Sequence, residues 1–228
     1  MRLKFSKEQK LLLIVLVVLF IDQASKIWVK THMQYGDQIS IFGLNWAFIH
    51  FVENNGMAFG ITLGGKAGKL FLSLFRIGAV GFLIYYIRKL IQAGAGMGVL
   101  ICFALILAGA IGNILDSAVY GLIFSESSYH GGLAELFPEE GGYAGLLHGK
   151  VVDMLYFPMI DTYLPEWLPI WGGDRFQFFK PVFNVADSSI SVGIMSLLVF
   201  QRQFFKTPVP QTEEQPPIAA AVHSVEEE

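Results

Sequence analysis

The sequence predicts an all-α membrane protein with four transmembrane helices, a small β-sheet region outside the membrane and extended loops. Of its 228 residues, 54% are hydrophobic and 15% are charged, and the mean hydropathy is +0.52. Soluble domains carry about 25% charged residues, so this deficit indicates a chain that lies largely in lipid. Four apolar segments account for it, at about 10–30, 70–90, 97–120 and 181–201. Each is about as long as a helix that crosses a bilayer.

The first apolar segment starts like a secretory signal peptide, because four basic residues precede an apolar run over 11–21. No small-residue cleavage site follows this run, which leads directly into Asp22-Gln23-Ala24-Ser25-Lys26. We therefore predict that the segment is retained as a transmembrane helix over about 10–30.

The segment that follows, 31–66, is predicted to lie outside the membrane. Strand-like sequences at 39–42 and 47–52 precede the turn-rich 53–56. Such a pattern predicts a short sheet on the membrane surface.

The second and third spans are joined by a short glycine-rich turn at 92–96. A second outer segment, 121–180, is long and rich in Gly, Pro, Trp and acidic residues. These parts are predicted to form a single membrane-embedded domain over 1–206. The Pro- and Glu-rich tail, 207–228, is predicted to be disordered and cytoplasmic.

Basic residues in the short flanks predict the orientation, since lysine and arginine are enriched on the cytoplasmic side. Four lie around the start of the first span, Arg88 and Lys89 end the second, and two more follow the fourth. Both chain ends are therefore predicted to be cytoplasmic, and 31–66 and 121–180 to face outward. Four basic residues in the outer segments weaken this asymmetry without reversing it.

Carboxylates and carboxamides lie near the predicted outer ends of three spans and in the second outer segment. Ionisable residues within a membrane cost about 2.5–3.5 kcal/mol on insertion scales, and they usually face the protein interior and mark function. A shared depth would let these residues meet in one site. They are Asp22 with Lys26 as an i,i+4 pair, Asn113 with Asp116, Asn184 with Asp187, and Asp153.

Two functions fit these residues at this point. Two aspartates sharing one proton form an acid–base pair, in which one takes a proton from water and the other protonates a carbonyl or leaving group. A proton or ion relay would use the same residues. A simpler interpretation of Asn184 and Asp187 alone is that they only cap the last helix.

Several other kinds of site are excluded or disfavoured by the sequence. It contains no G-x-S-x-G turn and no H-E-x-x-H helix, and no serine–histidine relay is apparent. The single Cys102 excludes an intrachain disulfide. No basic stripe or nucleic-acid motif is present, which argues against nucleic acid as a partner.

Five motifs in chain order resemble one family, the bacterial lipoprotein signal peptidases (signal peptidase II). Asp22-Gln-Ala-Ser-Lys26 resembles the family's D-Q-x-x-K, and Asn54-Asn-Gly56-Met-Ala-Phe-Gly60 resembles N-x-G-x-A-F-[GS]. The remaining three, which resemble G-x-x-G-N-x-x-D, V-V-D and F-N-x-A-D-[SA], are Gly109-Ala-Ile-Gly112-Asn113-Ile-Leu-Asp116, Val151-Val-Asp153 and Phe183-Asn184-Val-Ala-Asp187-Ser188.

The resemblance implies a membrane aspartyl endopeptidase that removes the signal peptide from diacylglyceryl-modified prolipoproteins, cutting before the lipidated cysteine. It implies that Asp153 and Asp187 are the catalytic pair. It also implies supporting or substrate-binding roles for Asp22, Lys26, Asn54, Gly56, Asn113, Asp116 and Asn184.

No metal ion or cofactor is implied by the resemblance. The implied partners are the prolipoprotein substrates and membrane lipid, and we expect a monomer. The protein would be a multi-pass protein of the bacterial inner membrane with its site, sheet and extended loops at the periplasmic face.

The chain departs from the family pattern in two respects. Ser117 stands where the family commonly has arginine after the third-motif aspartate, and Arg76 in the second span either replaces that arginine or extends toward the membrane surface. Insertions at about 122–149 and 159–179 form either a lid over the site or tolerated surface loops.

Two further functions remain as alternatives. A proton-coupled transporter or ion channel would be expected to show polar residues at mid-membrane and internal repeats, neither of which is evident. An inactive binding scaffold would be favoured if one aspartate of the pair were missing, but both are present.

Overall fold

Helices and two small antiparallel sheets make up residues 5–55, 65–178 and 180–204, which are the residues described by the computed structural model. Gly56 and the tail 207–228 lie outside them. The helices are α1 (Lys7–His32), α2 (Gly65–Gln92), α3 (Met97–Leu115), the single turn α4 (Gly121–Ile123) and α5 (Val185–Phe204). A π-helical turn, Asp116–Tyr120, continues α3 into α4.

Three of the described helices are long and apolar enough to cross a membrane: Lys7–His32, Ala67–Gln92 and Met97–Ile123. The apolar part of α5, Val185–Phe200, is shorter. This last helix begins at Val185 rather than at the predicted 181, because the chain before it is extended and belongs to a sheet.

The larger sheet has four strands in the order β1-β2-β3-β6, all antiparallel. Its strands are β1 (Gln38–Ser40), β2 (Phe48–Asn54), β3 (Val151–Tyr156) and β6 (Val182–Phe183). The first outer segment supplies two strands, as predicted. Strand β3 comes from the second outer segment, where no strand was predicted, and β6 lies at the start of the predicted fourth span.

The strand predicted at 39–42 ends earlier, at Ser40, because Ile41–Gly43 form a 3-10 turn in which Phe42 has a φ of 52°. A second, separate sheet is the hairpin β4 (Ile160–Tyr163) with β5 (Arg175–Phe178). This hairpin accounts for most of the second predicted insertion.

An apolar cluster fixes the larger sheet to the helix ends. It joins the last turns of α1, the strands β2 and β3, and the segment from the π-helical turn to the residue after α4. Its buried members are Val29, Met33, Phe51, Tyr120, Phe124, Val152 and Met154. Because β3 carries one of the predicted catalytic residues, this cluster sets the height of that residue relative to the helices.

Helix α3 lies against α1, α2 and α5. Its approach to α5 is close enough to require glycine, since a Cβ on Gly109 would lie 2.2 Å from the backbone oxygen of Ala186 and 2.6 Å from Ser189 Oγ. Small residues allow helices in membranes to approach in this way. The contact places the first turn of α5 directly beside α3.

Replacement of Gly109 with alanine is expected to lower the unfolding temperature in detergent, because overpacking of a tight contact costs about 1–3 kcal/mol. The matched control is Gly78→Ala in α2, where an added Cβ would meet nothing within 4 Å. That change should be neutral or slightly stabilising, since alanine favours helix over glycine. Equal unfolding temperatures for Gly109→Ala and the wild type would contradict the close packing of α3 and α5.

Candidate active site

The structure brings together the four aspartates that were predicted to meet. Asp22 comes from α1, Asp116 from the turn after α3, Asp153 from β3 and Asp187 from the first turn of α5. Hydrogen bonds and ion pairs connect them through one ammonium and three carboxamides, those of Lys26, Asn54, Asn113 and Asn184. Gly56 lies outside the described residues, and all the other predicted site residues belong to this network.

Asp153 and Asp187 are each held by amide donors on both carboxylate oxygens. Asn184 Nδ2 donates to Asp153 Oδ1 at 2.7 Å, and Asn54 Nδ2 donates to Asp153 Oδ2. Asn113 Nδ2 donates to Asp187 Oδ1 at 2.8 Å, and the backbone N–H of Asn184 donates to Asp187 Oδ2 at 3.3 Å. Asn184 therefore contacts both carboxylates and fixes their relative position.

Asn184 is also the cap of α5. Its Oδ1 accepts a hydrogen bond from the backbone N–H of Asp187 at 2.8 Å, and the Asp187 side chain accepts one from the backbone N–H of Asn184. This reciprocal pairing is a capping arrangement that satisfies backbone donors at the start of a helix. The simpler capping interpretation is correct, and it coexists with a place in the site.

Lys26 is buried between two aspartates. Its Nζ lies 2.8 Å from Asp22 Oδ2 and 2.8 Å from Asp116 Oδ2, and the exposed fractions of these three side chains are at most 1%. The predicted i,i+4 pair of Asp22 with Lys26 is confirmed, and Asp116 completes it. Asp22 Oδ1 also accepts the backbone N–H of Ala186 at 2.8 Å, which ties α1 to the start of α5.

The same ammonium orients the carboxamide of Asn113, which donates to Asp187. Asn113 Oδ1 accepts from Lys26 Nζ at 3.2 Å and from Asn184 Nδ2 at 3.1 Å. Its amide nitrogen must therefore point the other way, toward Asp187. Lys26 thus positions the Asn113 amide that donates to Asp187. Among the described residues, Lys26 itself makes no hydrogen bond to the Asp187 carboxylate.

Asp153 and Asp187 differ in their exposure to solvent. Asp153 is 3% exposed, whereas Asp187 is partly exposed. The pKa of Asp153 is raised from its ordinary value to about 7, first because burial disfavours the charged form and second because the charge of Asp187 lies close. Asp153 is therefore partly protonated near neutral pH, as one member of an acid–base pair must be.

This raised pKa predicts that stability falls as pH rises from about 4 to about 7. In that range the native state holds a proton on Asp153 that the unfolded chain has released, so each pH unit removes up to about 1.4 kcal/mol of stability. Heat unfolding measured between pH 4.5 and 8 checks this expectation. Asp153→Asn should show a flatter dependence, and an identical slope in both proteins would contradict the assignment.

Sequence reasoning missed Gln23, although it lies inside the first motif. Its Nε2 donates to Asp116 Oδ1 at 2.9 Å and to Asp22 Oδ2 at 3.1 Å, and its Oε1 accepts from Tyr120 at 3.1 Å. Lys30 was missed as well: it is fully buried and paired with Glu53. The spacing of Asp22, Lys26 and Lys30 on one face of α1 was the available signal.

No cation stands at the position of the family's arginine, where Ser117 is buried and donates to the backbone oxygen of Asn113 at 3.2 Å. Arg76 of α2 is half-buried and interacts electrostatically with Asp187, Asp116 and Asp153. The influence of these three charges favours the hypothesis that Arg76 replaces the family's arginine over the hypothesis that it extends toward the membrane surface.

Comparisons with known sequences all match the same protein family. A sequence profile described as signal peptidase (SPase) II matches residues 14–203. The chain is 54% identical over 187 residues to the lipoprotein signal peptidase of Porphyromonas gingivalis strain W83, covering 82% of this chain and 80% of that protein. It is 35% identical over 203 residues to the lipoprotein signal peptidase of Amoebophilus asiaticus, covering 88% of this chain and 80% of that protein.

Two solved structures of bacterial membrane enzymes, determined by the in meso method, share the fold. One, at 2.3 Å resolution, gives a TM-score of 0.55 with 22% identity over 88% of this chain and 93% of that chain. The other, at 1.9 Å, gives 0.54 with 25% identity over 87% of this chain and 94% of that chain.

Proposed function

This chain belongs to the signal peptidase II family, and from that premise we propose that it hydrolyses its substrates with Asp153 and Asp187 as the catalytic pair. It is a membrane peptidase that removes signal peptides from prolipoproteins. Within that activity, the bond cut is the one before a diacylglyceryl-modified cysteine of the substrate. The lipid on this cysteine keeps the scissile bond near the membrane surface, where the pair lies.

The observation that carries the proposal is the shared support of the two carboxylates by Asn184, which holds them in one site from two different elements. Asp187, the more exposed member, takes a proton from the attacking water. Asp153, whose pKa is about 7, supplies a proton to the scissile carbonyl or to the leaving amine. Asp22, Lys26, Asn54, Asn113 and Asp116 position this pair, and Gly56 contributes to substrate binding.

The chain crosses the inner membrane four times, with both ends cytoplasmic and the site at the periplasmic face. The basic flanks of the first, second and last helices support this orientation. The apolar part of α5 is about 24 Å long at 1.5 Å per residue, near the roughly 30 Å of the hydrocarbon layer. Both aspartates and their donors come from one chain, which supports a monomer as the active form.

The test is cleavage of a diacylglyceryl-modified prolipoprotein peptide by the purified protein in lipid nanodiscs, with the products identified by mass spectrometry. We expect one cut, directly before the modified cysteine, and much slower cleavage of the same peptide without lipid. If no peptide is cut while a proton or ion flux appears in liposomes, the transporter alternative replaces this function.

A further inference from the structure

A cavity of about 730 Å³, lined by charged, amide, hydroxyl and aromatic side chains, adjoins the catalytic pair where β2 ends against the first insertion. Asn54 belongs to both sites, since it lines the cavity and its carboxamide donates to Asp153. The other lining residues that matter here are Tyr35, Glu53, Glu126, Tyr129 and Lys150. None of these contributes to the pair itself, so the cavity is a second site beside it.

Glu53 in the cavity wall is a buried carboxylate with an incomplete set of partners. Its side chain is 1% exposed, and Oε1 accepts from Lys30 Nζ and from Ser127 Oγ. Oε2 accepts no hydrogen bond from the residues that the structure describes, and Lys150 Nζ lies 3.8 Å from it. A buried carboxylate oxygen without a donor is costly, so Glu53 favours a hydrogen-bond donor or a cation brought in by a ligand.

The rest of the wall selects for the same kind of ligand. Glu126 is largely exposed at the cavity wall and pairs with Lys150, whose Nζ lies 3.1 Å from Glu126 Oε1. The Tyr35 and Tyr129 rings meet edge to face, with centroids 4.5 Å apart. Carboxylates beside aromatic rings are the groups that bind ammonium and guanidinium ions.

The position of the cavity indicates which part of a substrate reaches it. Its lining residues come from the loop after α1, the end of β2 and the segment between α4 and β3, all outside the candidate spans. An apolar signal helix and acyl chains belong among the spans. The polar polypeptide that continues beyond the scissile bond is the part that extends away from them.

We propose that this cavity is a subsite for a basic side chain, lysine or arginine, in the mature segment that follows the lipidated cysteine of the substrate. The inference rests on the proposed function and extends it to substrate selection. Glu126 and Glu53 attract the cation, and the two tyrosine rings contact the aliphatic part of its side chain. Lys150 shifts toward solvent as the substrate charge takes its place. The first insertion thus has a role in substrate binding, because it supplies Glu126 and Tyr129.

The test uses lipidated peptides that carry a single lysine at each of the second to sixth positions after the cysteine, compared with glutamine at the same position. At one position or two adjacent positions, lysine is expected to lower KM about fivefold with kcat unchanged, as a partly desolvated ion pair would. Glutamate at those positions should raise KM.

Glu126→Gln should remove the lysine preference, so that the lysine and glutamine peptides have equal KM values. Glu126 is exposed, so this variant should fold normally. The matched control is Glu139→Gln, which makes the same charge change in the same insertion at an exposed residue outside this cavity's lining. It should keep the full preference, which separates contact in the cavity from a change in net charge.

The outcomes distinguish the subsite from the function on which it depends. If the wild type cuts no lipidated peptide, the proposed function fails. If it cuts lysine, glutamine and glutamate peptides with equal KM at every position, the function stands and the subsite is wrong. A lysine preference that survives Glu126→Gln also overturns the subsite.

Discussion

Replacement of Asp153 or Asp187 with asparagine is expected to lower kcat/KM for the lipidated peptide by about 10³–10⁴-fold. Asparagine keeps the shape of the side chain and can still accept a hydrogen bond, but it neither takes a proton from water nor donates one in the required cycle. In the proposed mechanism the two carboxylates act as one acid–base unit, so the double variant should be no worse than either single one.

Folding must be separated from chemistry in these variants. Asp153 is partly protonated near neutral pH, so Asp153→Asn changes the buried charge little. One of the two amide donors to Asp153 would then face the new NH2 group, so the unfolding temperature should fall but stay above the assay temperature. The control for a lost carboxylate elsewhere is Asp174→Asn, an exposed residue of the loop before β5, which should retain full activity. Single variants that retain more than about a tenth of the wild-type kcat/KM would place the chemistry elsewhere.

Replacement of Lys26 with methionine is expected to destabilise the fold by about 3–5 kcal/mol. The change leaves two fully buried carboxylates, Asp22 and Asp116, without their shared cation, and removing one partner of a buried ion pair is strongly destabilising. The measurement is heat unfolding in detergent. Activity should fall as well, because Asn113 loses the ammonium that orients its amide toward Asp187.

Two comparisons make the Lys26 result specific. Lys10→Met, an exposed residue of the same helix, should leave the unfolding temperature unchanged. Adding Asp116→Asn to Lys26→Met removes one of the uncompensated charges and should restore part of the lost stability. A Lys26→Met protein as stable as the wild type would show that other groups compensate these charges.

The side-chain contacts that were predicted correctly depend on short spacings in the sequence. Asp22 and Lys26 are one helical turn apart, and Asn184 and Asp187 have the three-residue spacing of a helix N-cap and its partner. The pairing within each couple therefore follows from local geometry. Local rules also located the helices, since apolar length alone distinguishes a spanning segment from a loop.

The remaining contacts depend on pairing between distant strands, which no local pattern specifies. Asn54 reaches Asp153 because β2 and β3 are antiparallel neighbours, with Val52 opposite Asp153. The sequence of β3 is a short apolar run without alternation, which periodicity cannot distinguish from part of a helix. For the same reason the start of α5 was predicted too early: Val182 and Phe183 complete the sheet against β3.

The pairing of β3 with β6 has a practical consequence for engineering. Leu155 lies opposite Phe183, and Tyr156 lies opposite Val182. The chain that leaves the sheet after β3 therefore returns to a strand paired with β3 before α5 begins. The two ends of the segment between β3 and β6 are held together by the pairing of these strands, whatever the length or sequence of that segment. A fluorophore or affinity tag placed at the tip of the β4–β5 hairpin should therefore report on the working enzyme without separating the two aspartates.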